Sequence, residues 1–243
     1  MPAFEARPGM PYWQDLATAQ PLKAEHFYSR LLGWEVGGDD YRVARKEGLP
    51  VAGFINQPYE MWLTYFLGYN GEAIERLGGK VLGEAEVSLG TMVVCQDPAG
   101  ALFGLIDPAG EDQFVAAGEP GVPVWHEYVA PSTEAIGFYG ELFDWEIRQE
   151  DGYFLALEDG AAFLGMRLAE GAPSGAWQTY LGVSDIDAAA RQVTTLGGQV
   201  AAGPAMSPFG PIAAVEDATG AGVFLCQVEE PTFEEISEAD SVL

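Results

Sequence analysis

Two short segments of the chain each place a carboxylate two residues after a tryptophan. Trp13 and Asp15 lie in WQDLAT, and Trp125 and Glu127 lie in WHEYVA. Apolar and polar residues alternate in both segments, which predicts strands whose tryptophan and carboxylate share one face. Burial beside aromatic rings raises a carboxyl pKa, so Asp15 and Glu127 are candidate catalytic proton acceptors or partners for a cation. The alternative is structural, with each acid paired to a nearby backbone group or arginine.

A second pair of segments adds phenols and one amide. Leu63 and Tyr65 alternate in MWLTYF, and Gln178 and Tyr180 alternate in AWQTYL. In a strand, alternate residues point to the same side, so each pair is predicted to share a face. Core packing is the alternative interpretation of these aromatic residues.

These paired segments belong to an internal duplication that runs along nearly the whole chain. YWQDLATAQPLKAEHFYSRLLGWEV aligns with VWHEYVAPSTEAIGFYGELFDWEI, LGGKV with LGGQV, and DPAGALFGL with DATGAGVFL. A stretch rich in glycine and proline, residues 107–123, is the predicted linker. We therefore predict one domain over 8–112 and a second over 120–228, each long enough to bury its own core, followed by an acidic tail over 229–243.

Each copy predicts an α+β order of a strand, a helix and further strands, repeated twice. In the first copy Ala24, Phe27, Tyr28 and Leu31 follow helical spacing, and Gly33 is the predicted end of that helix. In the second copy Ser184 and Asp187 form a capping-box pattern that predicts the start of the last helix.

The composition excludes some partners. With 37 acids against 11 bases the net charge is −26, which would repel nucleic acid and attract cationic molecules. A strongly solvated surface, as in salt-tolerant organisms, is the alternative origin of this acidity. No run approaches the roughly 20 apolar residues of a membrane span, and no signal peptide is recognisable. We expect a cytoplasmic monomer or homodimer, two buried unpaired cysteines, and disorder at the end of the tail.

The strand, the Phe-Tyr helix ending before a tryptophan, the Leu-Gly-Gly turn and the Asp-Pro-Ala-Gly turn occur in the same order twice. This layout resembles the vicinal oxygen chelate superfamily, the group of glyoxalases, bleomycin-resistance proteins and extradiol dioxygenases. The resemblance covers about nine tenths of the chain. It implies two tandem glyoxalase-like domains, each made of two βαβββ modules that form an open, cup-shaped, mainly antiparallel sheet. The ligand site is then expected inside the cup.

The resemblance also implies a metal site whose ligands this sequence lacks. The ligand positions fall on Trp13, Leu63 and Gly104 in the first copy and on Trp125, Gln178 and Phe224 in the second. Only Gln178 offers a lone pair there, and one neutral amide does not hold a divalent ion. We therefore predict no metal and no cofactor. His126 neighbours Trp125 and should point to the opposite face, which favours a structural role for it.

Three functions remain compatible with these residues. The first is a metal-free small-molecule-binding protein of the bleomycin-resistance type, with a cationic or aromatic guest. The second is a glyoxalase- or dioxygenase-like enzyme of lyase, isomerase or oxygenase type. The third is a protein whose cups are vestigial. We favour the first, and we expect the second cup to be used because Gln178 replaces Leu63. The predicted ligand-binding residues are Trp13, Tyr65, Trp125, Gln178, Tyr180 and Phe224, and the predicted catalytic residues are Glu127 and Asp15.

Overall fold

The computed structural model describes residues 3–39, 41–68, 71–110 and 114–230. The predicted disorder at the end of the acidic tail falls on residues 231–243, outside this range. No helix among the described residues is long and apolar enough to cross a membrane.

Each half of the chain contributes two helices and a run of short strands. The first half contains β1 (Ala3–Glu5), β2 (Pro11–Thr18), α1 (Pro21–Leu32), β3 (Glu35–Gly37), β4 (Arg42–Lys46), β5 (Leu49–Asn56), β6 (Met61–Leu67), α2 (Gly71–Arg76), β7 (Lys80–Val87), β8 (Gly90–Gln96) and β9 (Leu102–Pro108). The second contains β10 (Phe114–Ala116), β11 (Pro123–Ala130), α3 (Thr133–Phe143), β12 (Glu146–Glu150), β13 (Tyr153–Glu158), β14 (Ala161–Leu168), β15 (Ala176–Val183), α4 (Ile186–Thr195), β16 (Gln199–Ser207), β17 (Gly210–Glu216) and β18 (Gly222–Gln227).

The two halves form two eight-stranded sheets with the same strand order. The first runs β3-β4-β5-β2-β6-β9-β8-β7 and the second β12-β13-β14-β11-β15-β18-β17-β16. Neighbouring strands are antiparallel except β2 with β5 and β6 with β9, and their counterparts β11 with β14 and β15 with β18. The predicted α+β fold of two tandem domains, each with two βαβββ modules, is confirmed. The exact domain boundaries stay a prediction.

The helix ends follow local chemistry. Pro21 opens α1 and Gly33 ends it in the left-handed conformation, at φ 72°. A left-handed residue satisfies the last carbonyl groups of a helix at little steric cost when it is glycine. The predicted cap at Ser184 is wrong, because the side chain of Asp185 accepts the backbone N–H of Ala188. Asp185 has extended backbone angles, which place its carboxylate over the first turn.

The two largest apolar cores each contain residues from both halves of the chain. One large cluster packs Phe27 and Trp34 of the first half against Leu181 and Val193 of the second. The other packs residues of both halves in the same way, around Tyr139. These two clusters are shared because each sheet presents an apolar face to the helices of both halves. A third, smaller cluster lies entirely within the first half.

Buried hydrogen bonds also connect the two halves. The tyrosine of α1, Tyr28, donates to Asp217 in the second half at 2.9 Å. In the reverse direction Tyr128 and Tyr139 donate to Asp97 at 2.6 and 3.0 Å. These aspartates are the first residues of the two turns that the sequence repeats. Each turn therefore follows a strand of its own half and also binds a tyrosine of the other half.

Candidate functional site

The residues predicted to share a face do so in both sheets. In the first sheet Trp13 lies opposite Tyr65, and Asp15 lies opposite Leu63. Partners opposite one another in a ladder point to the same side, so all four belong to one face. We call this face the first cup and define it by Trp13, Asp15, Tyr41, Leu63 and Tyr65.

The second sheet repeats this register. Trp125 lies opposite Tyr180, and Glu127 lies opposite Gln178. The last strand brings Phe224 beside Tyr180, with ring centroids 4.6 Å apart and nearly parallel planes. We call this face the second cup. It comprises Trp125, Glu127, Tyr153, Arg167, Gln178, Tyr180 and Phe224.

In the first cup Asp15 is fully enclosed, with 1% of its surface exposed. Its Oδ1 accepts the indole N–H of Trp13 at 2.9 Å and the hydroxyl of Tyr41 at 2.6 Å. Burial raises the pKa of Asp15, and the hydrogen bonds from Tyr41, Trp13 and Tyr65 partly oppose that rise. Asp15 is thus an enclosed carboxyl group held by neutral donors.

The remaining space of the first cup is filled by its own side chains. Trp13, Leu63 and Tyr65 pack with Val43 and Met92 into one apolar cluster. Tyr65 lies flat over Gly104, where a Cβ atom would come within 2.0 Å of the phenol ring. The residue at this family ligand position is therefore a glycine because the tyrosine occupies the space above it.

The second cup holds its carboxylate differently. Oε1 of Glu127 accepts the hydroxyl of Tyr153 at 2.8 Å. Oε2 accepts from Nε of Arg167 at 3.3 Å and from the hydroxyl of Tyr180 at 3.4 Å. The glutamate side chain is 8% exposed, whereas that of Arg167 is 47% exposed. The acid is buried while its cation reaches solvent.

Aromatic rings around Glu127 remain partly open. Trp125, Tyr153 and Phe224 are each only partly buried. Phe209, at the tip of the β16–β17 hairpin, lies 5.1 Å from the ring of Trp125 and 5.9 Å from that of Tyr153. Since Phe209 is itself 46% exposed, this hairpin tip covers one side of the cup with a ring that still contacts solvent.

Glycine in the neighbouring strand makes room for each tyrosine. A Cβ atom on Gly53 would meet Oδ1 of Asp15 at 2.1 Å and the hydroxyl of Tyr41 at 2.2 Å. A Cβ atom on Gly165 would meet the hydroxyl of Tyr153 at 1.9 Å. Contacts this short do not occur between real atoms, so any other residue at these positions would displace the tyrosine from the carboxylate.

The sequence reasoning missed three members of the cups, namely Tyr41, Tyr153 and Arg167. A signal for the tyrosines was present, because each follows its tryptophan by 28 residues in both copies. Arg167 has no counterpart signal, since the equivalent position in the first copy is Ile55. The arginine therefore distinguishes the two copies and is invisible to a search for repeated residues.

The positions at which the family resemblance places metal ligands do not fit a metal. In the second cup these positions are held by Trp125, Gln178 and Phe224. Neither aromatic residue offers a lone pair to a metal ion. Among the described residues no group of three or more His, Cys, Asp or Glu could hold a metal ion. Oε1 of Gln178 is buried and accepts no hydrogen bond from a described residue. That oxygen is consequently open to a donor on a bound molecule.

His126 lies on the opposite face from Trp125, as its place in the strand predicts. Its Nδ1 is 3.3 Å from the hydroxyl of Thr64, which lies 3.5 Å from that of Thr179. Burial lowers the pKa of His126 to about 4, so the ring is neutral at physiological pH. The first copy has Gln14 at the equivalent position, and only 1% of its surface is exposed.

No family model matches the sequence. Individual relatives nevertheless align with most of it. "Putative glyoxylase CFP32" of Mycobacterium tuberculosis is 30% identical over 250 residues, covering 89% of this chain and 94% of that protein. "Anthracycline biosynthesis protein DnrV" of Streptomyces peucetius is 27% identical over 263 residues, covering 92% and 94%.

Solved structures share the fold at low sequence identity. The Mn(II)-bound glyoxalase from Novosphingobium aromaticivorans superposes with a TM-score of 0.66 and 15% identity, over 94% of this chain and 85% of that one. A variant of homoprotocatechuate 2,3-dioxygenase from B. fuscum gives a TM-score of 0.64 and 13% identity, over 95% and 73%. With this fold and a relative 30% identical over nearly the whole length, the chain belongs to the two-domain vicinal oxygen chelate superfamily.

Proposed function

We propose that this protein binds a small aromatic molecule in its second cup without the help of a metal. The observation that carries the proposal is the arrangement around Glu127, where a buried carboxylate lies among partly exposed aromatic rings and beside the unpaired Oε1 of Gln178. An apolar concavity with a few convergent polar groups is the usual form of a small-molecule site. The metal site of the family is degenerate in this proposal, and the polar groups of the cup replace it.

The guest that suits this cup is a flat ring carrying a hydrogen-bond donor. Trp125 and Phe224 offer ring faces, worth on the order of 1 kcal/mol for each stacked contact. Gln178 and Glu127 offer acceptor oxygens close to those rings. A protonated amine is the best donor for these acceptors, and the net charge of −26 attracts cations from solution. Arg167 opposes such a guest, because it already neutralises Glu127.

The names of two relatives support binding of small organic molecules. DnrV is named for anthracycline biosynthesis and CFP32 as a glyoxylase. The first cup offers little support for the same role, because its own side chains fill it and no cation among the described residues pairs with Asp15. We therefore assign binding to the second cup alone.

The test is calorimetric titration with 2-(aminomethyl)naphthalene, a flat ring bearing a protonated amine. Glu127→Gln should weaken binding about tenfold, the cost of roughly 1.4 kcal/mol of lost charge attraction. Arg167→Ile should strengthen binding, because it removes the competing cation. Asp15→Asn is the matched control in the first cup and should leave the affinity unchanged.

Two results would contradict the proposal. If Glu127→Gln lowers the melting temperature and leaves the affinity unchanged, Glu127 is a structural residue. If Asp15→Asn weakens the amine as much as Glu127→Gln does, the second cup has no special role.

A second candidate function is an enzyme of the glyoxalase or dioxygenase type. The hydroxyls of Tyr153 and Tyr180 bracket Glu127, and such a group could pass a proton to and from a bound molecule. In that case Glu127→Gln would abolish turnover of a substrate whose binding survives. Binding without turnover in the wild-type protein favours the first candidate.

A further inference from the structure

A cavity of about 490 Å³ lies between the two halves, where β2 and β11 begin. This volume falls in the range of small-molecule sites, which is roughly 300 to 1,000 Å³. Equivalent positions of the two copies line it, among them Pro11 with Pro123 and Trp13 with Trp125. The cavity therefore arises from the way the duplicated halves meet, and neither half could form it alone.

The lining of this cavity contains no charged side chain among the described residues. That is unusual in a chain with 37 acids and 11 bases. Aromatic rings contribute instead, from Tyr12, Trp13, Trp125 and Phe163. An ion transferred into such surroundings would lose its hydration without gaining a partner. The lining thus favours an uncharged, flat guest.

Two polar side chains in the lining hold unused hydrogen-bonding capacity. The amide nitrogen of Gln14 donates to the backbone oxygen of Val51 at 3.4 Å, while its Oε1 is buried and accepts no hydrogen bond from a described residue. At the equivalent position, His126 uses Nδ1 toward Thr64, and no described residue bonds its Nε2.

An unsatisfied buried acceptor destabilises the folded state, and such groups are rare in folded proteins. The terminal torsion of a glutamine is soft, so the Gln14 oxygen can turn toward the cavity at little cost. A guest with a hydroxyl or N–H group would satisfy it. A bound molecule that donates this hydrogen bond would remove the cost of keeping the Gln14 oxygen buried in an apolar wall.

We propose that this cavity is a second small-molecule site, bordering the second cup at Trp125, which takes an uncharged flat aromatic molecule whose hydroxyl or N–H donates to Gln14. The aromatic walls hold the rings, and Gln14 selects for the donor. This proposal does not rest on the function assigned to the second cup, because the two sites use different polar residues and favour guests of different charge.

The experiment uses three related fluorescent probes. N-phenyl-1-naphthylamine is uncharged and carries one N–H group, and its emission rises in apolar surroundings. Its N-methyl derivative cannot donate a hydrogen bond, and 8-anilinonaphthalene-1-sulfonate adds a negative charge to the same rings. We expect the uncharged N–H probe to bind best, with the N-methyl derivative and the sulfonate each about tenfold weaker or worse.

Three variants locate the bound probe. Ala162 lines the cavity and is exposed, so Ala162→Trp fills the space without burying a new charge and should weaken the uncharged probe at least about tenfold. Ala202→Trp is the matched control, at an exposed strand position outside the lining. Gln14→Leu should remove the preference for the N–H probe over its N-methyl derivative.

The proposal is overturned if folded Ala162→Trp protein binds the uncharged probe as well as the wild type does. If that variant fails to fold, Ala109→Trp, at another exposed position of the lining, decides in the same way. It is also overturned if Glu127→Gln changes the affinity of the uncharged probe as much as Ala162→Trp does. Neither result affects the amine titration of the second cup, so the two sites stand or fall separately.

Discussion

The two cups start from the same four groups and use them differently. Each has a tryptophan, an acid two residues later and two tyrosines whose hydroxyls reach that acid. In the first cup the tryptophan is buried in an apolar cluster, whereas in the second it is only partly buried, and in both cups the acid is buried. One copy of this constellation therefore lies within an apolar cluster, and the other combines a buried acid with a half-exposed arginine.

Besides the acid itself, three pairs of equivalent positions differ between the cups. Leu63 corresponds to Gln178, Ile55 to Arg167 and Gly104 to Phe224. Glycine lets Tyr65 lie flat over the neighbouring strand, whereas Phe224 holds Tyr180 in a stack above it. The arginine supplies a cation at the position where the first cup has Ile55.

The comparison predicts its largest effect for the two tryptophans. Trp13→Ala removes a buried ring from a packed cluster and should cost about 3–5 kcal/mol of unfolding free energy. Trp125→Ala removes a partly exposed ring and should cost about 1–2 kcal/mol, since less area is returned to water. Urea unfolding of both variants measures the difference. Equal losses would mean that the second cup is as much a part of the core as the first.

The next largest effect on stability is expected for His126, which lies on the opposite face of the same sheet from Trp125. The pKa of His126 is lowered to about 4 by burial, while that of an unfolded chain is near 6.5. The folded protein therefore binds fewer protons at His126 between these values, so the contribution of His126 to stability is complete above pH 6.5 and is lost as the pH drops toward 4. The loss should approach about 3 kcal/mol.

His126→Gln installs the residue of the first copy and should remove this part of the pH dependence. His26→Gln is the control, because His26 is the other histidine of the chain and is exposed. Urea unfolding at several pH values compares the two variants with the wild type. A His126→Gln profile that still falls like that of the wild type would contradict the assignment.

The two carboxylates should respond to neutralisation in different ways. Burial raises the pKa of Asp15, so the folded protein keeps a proton that the unfolded chain releases, and the contribution of Asp15 to stability falls as the pH rises above 3.8. The stability of Asp15→Asn relative to that of the wild type should therefore increase as the pH rises. Glu127→Gln should change stability by less than about 1 kcal/mol, because its partner Arg167 is half exposed. Parallel curves for Asp15→Asn and the wild type would show that Asp15 does not titrate in this range.

Much of the fold could be predicted because the sequence contains the same order of motifs twice. Strand alternation placed Trp13 with Asp15, and Trp125 with Glu127, on common faces, since a strand has a period of two. The repeated order of motifs carries the family resemblance, and that resemblance implied the two sheets. Local patterns of this kind decide which residues share an element and a face.

What could not be predicted depends on how separate elements meet. Tyr41 reaches Asp15 only because β4 and β5 align beside β2, and no local pattern fixes that alignment. The shared cores and the cavity beside Gln14 likewise depend on the packing of one half against the other. Residue spacing and the internal repeat predict the elements of each copy, but they do not predict how the two copies pack against each other.

The smallest predicted effect is an exchange of the residues that distinguish the cups. Arg167→Ile gives the second cup the residue of the first, and Ile55→Arg does the reverse. Each should change unfolding free energy at neutral pH by less than about 1 kcal/mol, because a half-exposed ion pair contributes little. The informative quantity is how stability varies with pH.

Without its cation Glu127 should come to resemble Asp15, so that the stability of Arg167→Ile falls as the pH rises. In Ile55→Arg the new guanidinium lies beside Asp15 and lowers its pKa, so the slope should flatten. Urea unfolding from pH 5 to 8 measures both slopes against the wild type. If Arg167→Ile keeps the wild-type slope, the two tyrosine hydroxyls are enough to hold the charge of Glu127, and the difference between the cups lies in their packing and not in the arginine.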